Sequence, residues 1–299
     1  MPEFPPRYAP LADFIAPALG RSQLWRTIGG LVLASVLYFL ALQVILAGLL
    51  AGAVLWGSGL TLRAIAEGST PAGLMVLLYS YVPLTFGIAL ATSLMRKRSA
   101  MGLIGPPGPA LRCCLWVAVP LMAVSVGLIP LSLMSDDVAR HISFLHQLPW
   151  LPVAVVGLFI QTGTEELVFR GFLQQQLAAR WASPWVWMLL PSLIFGALHY
   201  APVEYGASAP FVVGWAVLFG LAAADLTART GNLGAAVGLH FANNAASMLL
   251  VGVAGRLDAL ALFTARMDQS ALWAQLPYLA IDTLSLLVSW LLARLILRV

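Results

Sequence analysis

The chain alternates between long apolar runs and short segments that carry charge, glycine or proline. A helix that crosses a bilayer needs about 20 predominantly apolar residues, and several of the runs reach that length. The pattern predicts eight spans, near residues 28–56, 72–95, 113–134, 150–178, 184–201, 210–226, 233–253 and 274–296. We therefore expect an all-α, polytopic membrane helix bundle of about eight transmembrane helices, forming one integral membrane domain over residues 1–299.

Composition and charge support this expectation. The chain is 61% hydrophobic and 9% charged, whereas soluble domains carry about 25% charged residues. Placing the N-terminus in the cytoplasm leaves only Arg63, Arg140, Arg256 and Arg266 outside, apart from the intramembrane Arg170. The positive-inside rule then predicts that both termini are cytoplasmic. The basic residues orient the chain in its lipid bilayer and do not indicate a nucleic-acid surface.

Three charged residues lie inside one predicted span, in the segment TEELVFRGF. An ionisable side chain at the bilayer centre costs about 2.5 kcal/mol or more, so each one asks for a role. Glu166 and Arg170 are four residues apart and can form an ion pair, for which a structural and a catalytic role both stay open. Glu165 lies about 100° around the helix without such a partner, which makes it the candidate general base.

Two histidines occupy later spans. His199 follows Phe195 by one turn in PSLIFGALH, and the fourth and fifth spans should form a hairpin near residue 182. Glu165 and His199 are equally distant from that turn, so we expect them at one depth, where they can share a water. In GLHFANNA, His240 and Asn244 lie on one face, and two such donors suit the oxyanion of a tetrahedral intermediate. Each polar pair alone is also compatible with helix association.

In order, the three segments have the forms EExxxR, FxxxH and HxxxN. This resembles the CAAX prenyl endopeptidase and bacteriocin-processing (CPBP, or Abi) family of intramembrane proteases, with a catalytic core over residues 150–250. The resemblance implies that Glu165 and His199 activate water. It also implies that His240 and Asn244 stabilise the oxyanion. The supporting positions are Glu166, Arg170 and Phe195.

The resemblance implies a CAAX-endopeptidase-like peptide hydrolase in the cell (inner) membrane of a prokaryote. Its substrate would be a membrane-associated peptide or protein, and neither the substrate nor the oligomeric state follows from the sequence. Glu165, His199 and His240 would suit a His2Glu zinc site, although the chain has no HExxH or similar spacing. We favour glutamate-dependent hydrolysis without a cofactor and keep a zinc metalloprotease as the alternative.

Two other function classes compete with a protease. The first is a nonenzymatic membrane partner, such as an immunity or signalling protein that binds a peptide or a sensor kinase. The second is a transporter, which should show an inverted repeat that we do not find.

The depths of the site residues in the membrane give a further prediction. If Glu165 and His240 meet, the hairpin of the fourth and fifth spans should project about 14 Å into the cytosol. Its last turns carry residues that prefer water to lipid, namely Gln174, Gln175, Gln176 and Arg180.

Overall fold

The computed structural model describes residues 3–266 and 272–299. The helices are α1 (Ala9–Ile15), α2 (Leu24–Trp56), α3 (Leu62–Glu67), α4 (Pro71–Tyr79), α5 (Val82–Arg96), α6 (Pro107–Ser132), α7 (Phe144–Gln147), α8 (Leu151–Glu166), α9 (Gln175–Ala178), α10 (Leu190–Ala197), α11 (Pro202–Tyr205), α12 (Ala209–Thr230), α13 (Gly234–Ala245) and α14 (Leu272–Leu297). Wider π-helical turns cover Leu167–Gln174, Trp185–Leu189 and Ala246–Leu250, and 3-10 turns cover Pro6–Tyr8, Ala16–Arg21, Ala100–Leu103 and Gly206–Ser208. The strands are β1 (Val138–Arg140), β2 (Val251–Val253) and β3 (Phe263–Ala265).

All eight predicted spans contain helix, which confirms the all-α, polytopic bundle, although residues 251–253 at the end of the seventh form β2. Six helices in the described part of the chain are long and apolar enough to cross a membrane: Leu24–Trp56, Pro71–Arg96, Pro107–Ser132, Leu151–Ala178, Pro202–Thr230 and Gln275–Leu297. The other two spans are shorter helices, formed by Trp185–Ala197 and by α13 with its π-helical extension. The protein is therefore an integral membrane protein.

The segment VEYGASAP, which lies between the fifth and sixth predicted spans, forms α11 and a 3-10 turn that lead directly into α12. Pro202 occupies the first turn of α11, where its missing N–H costs nothing.

Successive helices run between two ends of the bundle. At one end, Gln175 donates to the carbonyl oxygen of Phe14 at 2.6 Å, and Asp225 accepts from Tyr8 at 2.8 Å and from Trp290 at 3.0 Å. The N-terminal segment and the last helix therefore meet at the same end, as an even number of spans requires.

A small sheet closes the opposite end. Its strand order is β1-β3-β2, with β1 antiparallel and β2 parallel to β3. Gln147 of α7 contacts the chain on either side of β2. It donates to the carbonyl oxygens of Leu249 and Leu260, both at 2.7 Å. Strands this short gave no alternating pattern from which the sequence could predict them.

Helices α6 and α13 approach each other closely because α13 presents glycine there. A Cβ atom at Gly234 would lie 1.8 Å from the carbonyl oxygen of Ala110, and one at Gly238 would lie 2.5 Å from that of Cys114. The spacing is that of a GxxxG motif, which lets membrane helices meet backbone to backbone. This contact fixes the position of α13 in the bundle.

The glutamines after the π-helical turn of the fourth span do not face water. Gln174, Gln175 and Gln176 are fully buried, and their partners lie on α12, the N-terminal segment and α5. Trp187 is likewise buried, with its ring in edge contact with that of Tyr8. The three glutamines are therefore kept from lipid by burial within the protein, whereas Arg180, expected to prefer water with them, is exposed.

Candidate active site

The first motif lies where α8 passes into a π-helical turn. Glu165 and Glu166 end α8, and Arg170 lies within the wider turn Leu167–Gln174. The third motif occupies α13, which also continues into a π-helical turn. Such turns are uncommon and occur often at functional sites. Of the motif residues in these two segments, Arg170 lies within a π-helical turn, and the others lie in the α-helix that precedes one.

Glu166, Arg170 and His240 form the centre of the cluster. One carboxylate oxygen of Glu166 accepts from Arg170 Nη1 at 2.9 Å and from His240 Nδ1 at 2.8 Å. All three side chains are buried, and Arg170 also donates to the carbonyl oxygen of Gly220 at 3.2 Å. The predicted ion pair is present, and it also orients a histidine on another helix.

His240 presents its second nitrogen to Glu165. Its Nε2 lies 3.7 Å from Glu165 Oε2, so the two residues lie in the same site. Because a carboxylate only accepts, Nδ1 carries the proton that it shares with Glu166. Nε2 then accepts in the neutral ring and donates only when the ring is an imidazolium.

Asn244 joins the cluster through Gln161. Its Nδ2 donates to Gln161 Oε1 at 2.9 Å, and Gln161 Nε2 donates to Glu165 Oε1 at 2.7 Å. The structure therefore brings Glu165, His240 and Asn244 together. One of the two amide hydrogens of Asn244 is used in this network, which leaves the other for a substrate oxygen.

His199 stands slightly apart from these residues. Its Nδ1 donates to the carbonyl oxygen of Phe195 at 2.8 Å, and the Phe195 ring contacts both histidine rings, with centroids 4.5 Å from His199 and 6.2 Å from His240. No hydrogen bond or ion pair among the described residues joins His199 to Glu165. The bond at Nδ1 leaves Nε2 of the neutral ring as an acceptor.

Sequence reasoning missed three residues of the site. Gln161 lies one turn before Glu165, and its polarity within an apolar span was a usable signal. The Tyr81 hydroxyl interacts with Glu165 and Gln161, and that of Tyr38 with Ser80. Both tyrosines come from earlier spans, so no spacing in the sequence relates them to the motifs.

The three predicted zinc ligands do not assemble into a metal site. In residues 3–266 and 272–299, no three His, Cys, Asp or Glu side chains are grouped so that they could hold a metal ion. His240 already uses Nδ1 for Glu166, and His199 lies beyond the Phe195 ring. Catalysis without a cofactor stays a prediction.

The part of the chain that contains the candidate active-site residues is similar to known proteins. An uncharacterized protein, YyaK of Bacillus subtilis (strain 168), is 32% identical over 130 residues, which cover 43% of this chain and 44% of that protein. The aligned part thus spans less than half of this curated relative, and no solved structure matches significantly. Residues 147–246 match the family described as type II CAAX prenyl endopeptidase Rce1-like. The resemblance to the CAAX prenyl endopeptidase and bacteriocin-processing family is therefore confirmed for these residues.

Proposed function

We propose that the protein is an intramembrane endopeptidase that hydrolyses a peptide bond of a membrane-associated substrate. The observation that carries the proposal is the approach of His240 Nε2 to the Glu165 carboxylate, with His240 held from behind by Glu166. A general base beside an oriented histidine, inside an apolar bundle, is an arrangement suited to hydrolysis. The matched family supplies the reaction class.

In the proposed reaction, Glu165 takes a proton from a water while the oxygen attacks the peptide carbonyl carbon. His199 accepts a hydrogen bond from the same water through Nε2. His240, as the imidazolium, and Asn244 donate to the oxyanion of the tetrahedral intermediate. Glu165 then returns its proton to the leaving amine as the carbon–nitrogen bond breaks. Glu166 supports the charge on His240 without touching the substrate.

The apolar surroundings of the site indicate the class of substrate. The cluster lies within an apolar bundle, so we propose that the substrate reaches it from the bilayer as a membrane-associated or lipid-modified peptide. We further propose the cell membrane of a prokaryote, with the end that holds both termini facing the cytoplasm, because this places most arginines inside.

The experiment that tests the function compares Glu165→Gln with wild type in native-like lipid. Membrane and secreted peptides are compared by mass spectrometry, and purified protein is then assayed on the candidate substrate. We expect Glu165→Gln to lose turnover and remain folded, because the amide keeps the shape but cannot act as a base. Glu3→Gln makes the same chemical change at an exposed site and should retain full activity.

Comparing Glu165→Gln with wild type also distinguishes a protease from a nonenzymatic membrane partner. A nonenzymatic membrane partner would show no Glu165-dependent cleavage, while a peptide or sensor kinase would be captured equally by wild type and Glu165→Gln. Cleavage that persists at the wild-type rate in Glu165→Gln would instead show that another group is the base.

A further inference from the structure

A second group of charged residues lies away from the candidate active site. Arg26 comes from the start of α2, Arg96 ends α5, and Arg98 follows it in the next loop. We call these three residues the arginine cluster. They lie at the end of the bundle where the N-terminal segment meets Gln175 and Gln176, and they are absent from the matched family region.

The hydrogen-bond partners of the arginine cluster are all neutral. Arg26 Nη1 donates to the carbonyl oxygen of Met95 at 2.6 Å, and Arg98 Nη2 donates to Gln175 Oε1 at 2.5 Å. Arg96 donates to Thr27 Oγ1 at 2.6 Å. It also donates to the carbonyl oxygen of Arg21 and to Gln176 Oε1.

No acidic side chain balances this charge. Among the described residues, the ion pairs of arginine involve Arg63, Arg170, Arg229 and Arg256, and none involves the cluster. Burial lowers the pKa of the Arg98 guanidinium to about 10, so it remains charged at neutral pH. Three positive charges therefore share a largely buried site, although burying a charge without a counter-charge is costly.

Several buried hydrogen-bond donors of this group have no partner. They are the Nε atoms of Arg26, Arg96 and Arg98, Arg98 Nη1, and the amide nitrogen of Gln176. Each of these atoms donates, and none accepts. Arg96 itself is only 2% exposed. A ligand that satisfies them must therefore be rich in acceptor oxygens and negatively charged.

We propose that the arginine cluster is a binding site for a phosphate group, supplied by the headgroup of an anionic phospholipid. Guanidinium groups bind phosphate oxygens through several charge-assisted hydrogen bonds at once. A phosphate offers more acceptor oxygens than a carboxylate, which suits donors on three side chains. Basic pockets beside helix ends on the cytoplasmic side bind such headgroups in other membrane proteins.

The surroundings favour a lipid as the source of the phosphate. Trp25 is 61% exposed, and the guanidinium of Arg26 lies 4.6 Å from its ring centroid. Exposed tryptophans of membrane helices concentrate at the headgroup level. Arg26 and Arg98 are partly exposed, so an anion can approach from the loop that follows α5.

The test measures the thermal unfolding midpoint of the full chain in nonionic detergent. Short-chain phosphatidylglycerol, short-chain phosphatidylcholine and inorganic phosphate are titrated separately, with chloride matching the ionic strength. We expect phosphatidylglycerol to raise the midpoint saturably, and phosphatidylcholine to have no such effect. Stabilisation by inorganic phosphate with the same saturation would support the phosphate site and identify a soluble source.

Variants connect the effect to the cluster. Arg98→Gln should raise the half-saturating phosphatidylglycerol concentration about tenfold, the effect of losing about 1.4 kcal/mol of binding. Arg112→Gln removes the same charge from an exposed position and should leave that concentration unchanged. Arg26→Gln provides a second variant should Arg98→Gln fold poorly.

Three results would overturn the proposal. Equal stabilisation by phosphatidylcholine would show a general lipid effect, and equal losses in Arg98→Gln and Arg112→Gln would show a general charge effect. Absence of stabilisation by both phosphatidylglycerol and inorganic phosphate would show that the cluster binds neither anion.

Discussion

Arginine is buried both at the candidate active site and at the arginine cluster, and the neighbours of the two groups differ. Arg170 lies against the Glu166 carboxylate, which is shared with His240. The arginine cluster of Arg26, Arg96 and Arg98 has only carbonyl, hydroxyl and amide oxygens as partners. Neutral acceptors satisfy hydrogen bonds but leave the charge uncompensated. Arg170 thus has a counter-charge within the protein, whereas no ion pair among the described residues involves the arginine cluster.

This difference indicates what each region receives. A candidate active site that carries its own carboxylates can accept a neutral peptide bond, and its remaining donors serve a charge that develops only during the reaction. The arginine cluster instead has a standing positive charge that an anion would neutralise in the resting state.

The largest effect is expected from Arg170→Ala. It leaves the buried Glu166 carboxylate without its cation, which should cost about 3 kcal/mol or more of unfolding free energy. Thermal stability and yield would report the loss, with Arg112→Ala as the exposed control. An Arg170→Ala protein as stable as wild type but inactive would assign Arg170 a direct role in the reaction.

Glu166→Gln should lower activity more than it lowers substrate affinity. The amide can still accept from His240 Nδ1 but carries no charge to support the imidazolium. We expect kcat to fall on the order of 100-fold while KM changes little. A fall in kcat/KM caused entirely by KM would show that Glu166 contributes to substrate binding instead of positioning His240.

Gln161→Leu tests the neutral link in the active-site network. It removes the bridge between Asn244 and Glu165, with a stability loss of about 1 kcal/mol, the usual value for a hydrogen bond. Activity should fall too, because both end groups lose orientation, and Gln161→Glu should not restore it. Unchanged activity in Gln161→Leu would show that α13 alone positions Asn244.

The smallest effect on stability is expected from Arg98→Gln in lipid-free detergent. Removing a charge that has no counter-charge should change the unfolding free energy by less than about 1 kcal/mol, and the sign can favour the variant. Chemical denaturation beside Arg170→Gln gives the direct contrast. Equal losses in the two variants would remove the distinction between the two regions.

The sequence predicted what depends on spacing within one helix. The eight helical spans and the ion pair of Glu166 with Arg170 follow from apolar length and helical geometry, whereas the shared site of Glu165 and His240 was expected from the motif resemblance. Contacts between segments that are far apart in the sequence were not predicted. Tyr81 reaches Glu165 from another span, and the N-terminal segment buries glutamines that were expected to face water.

The role of Glu166 was only half predicted, because an ion pair at four-residue spacing is visible in the sequence but its histidine partner is not. His199 shows the opposite limit: its depth was predicted, yet depth does not give rotation about the helix axis. Phe195, placed among the supporting residues by its motif, lies between the two histidine rings.

The π-helical turn at Leu167–Gln174 has a consequence for insertions and deletions. A π-helical turn amounts to an added residue in an α-helix, so a one-residue deletion there could close into regular α-helix with little loss of backbone hydrogen bonding. Such a deletion would rotate everything that follows by about 100°. Gln174, Gln175 and Gln176 would then turn away from α12, the N-terminal segment and Arg96, while Glu165 stayed in place. The length of this segment is therefore fixed by the partners of its last residues, and a family of single-residue deletions across it would map where the chain can lose register and still assemble.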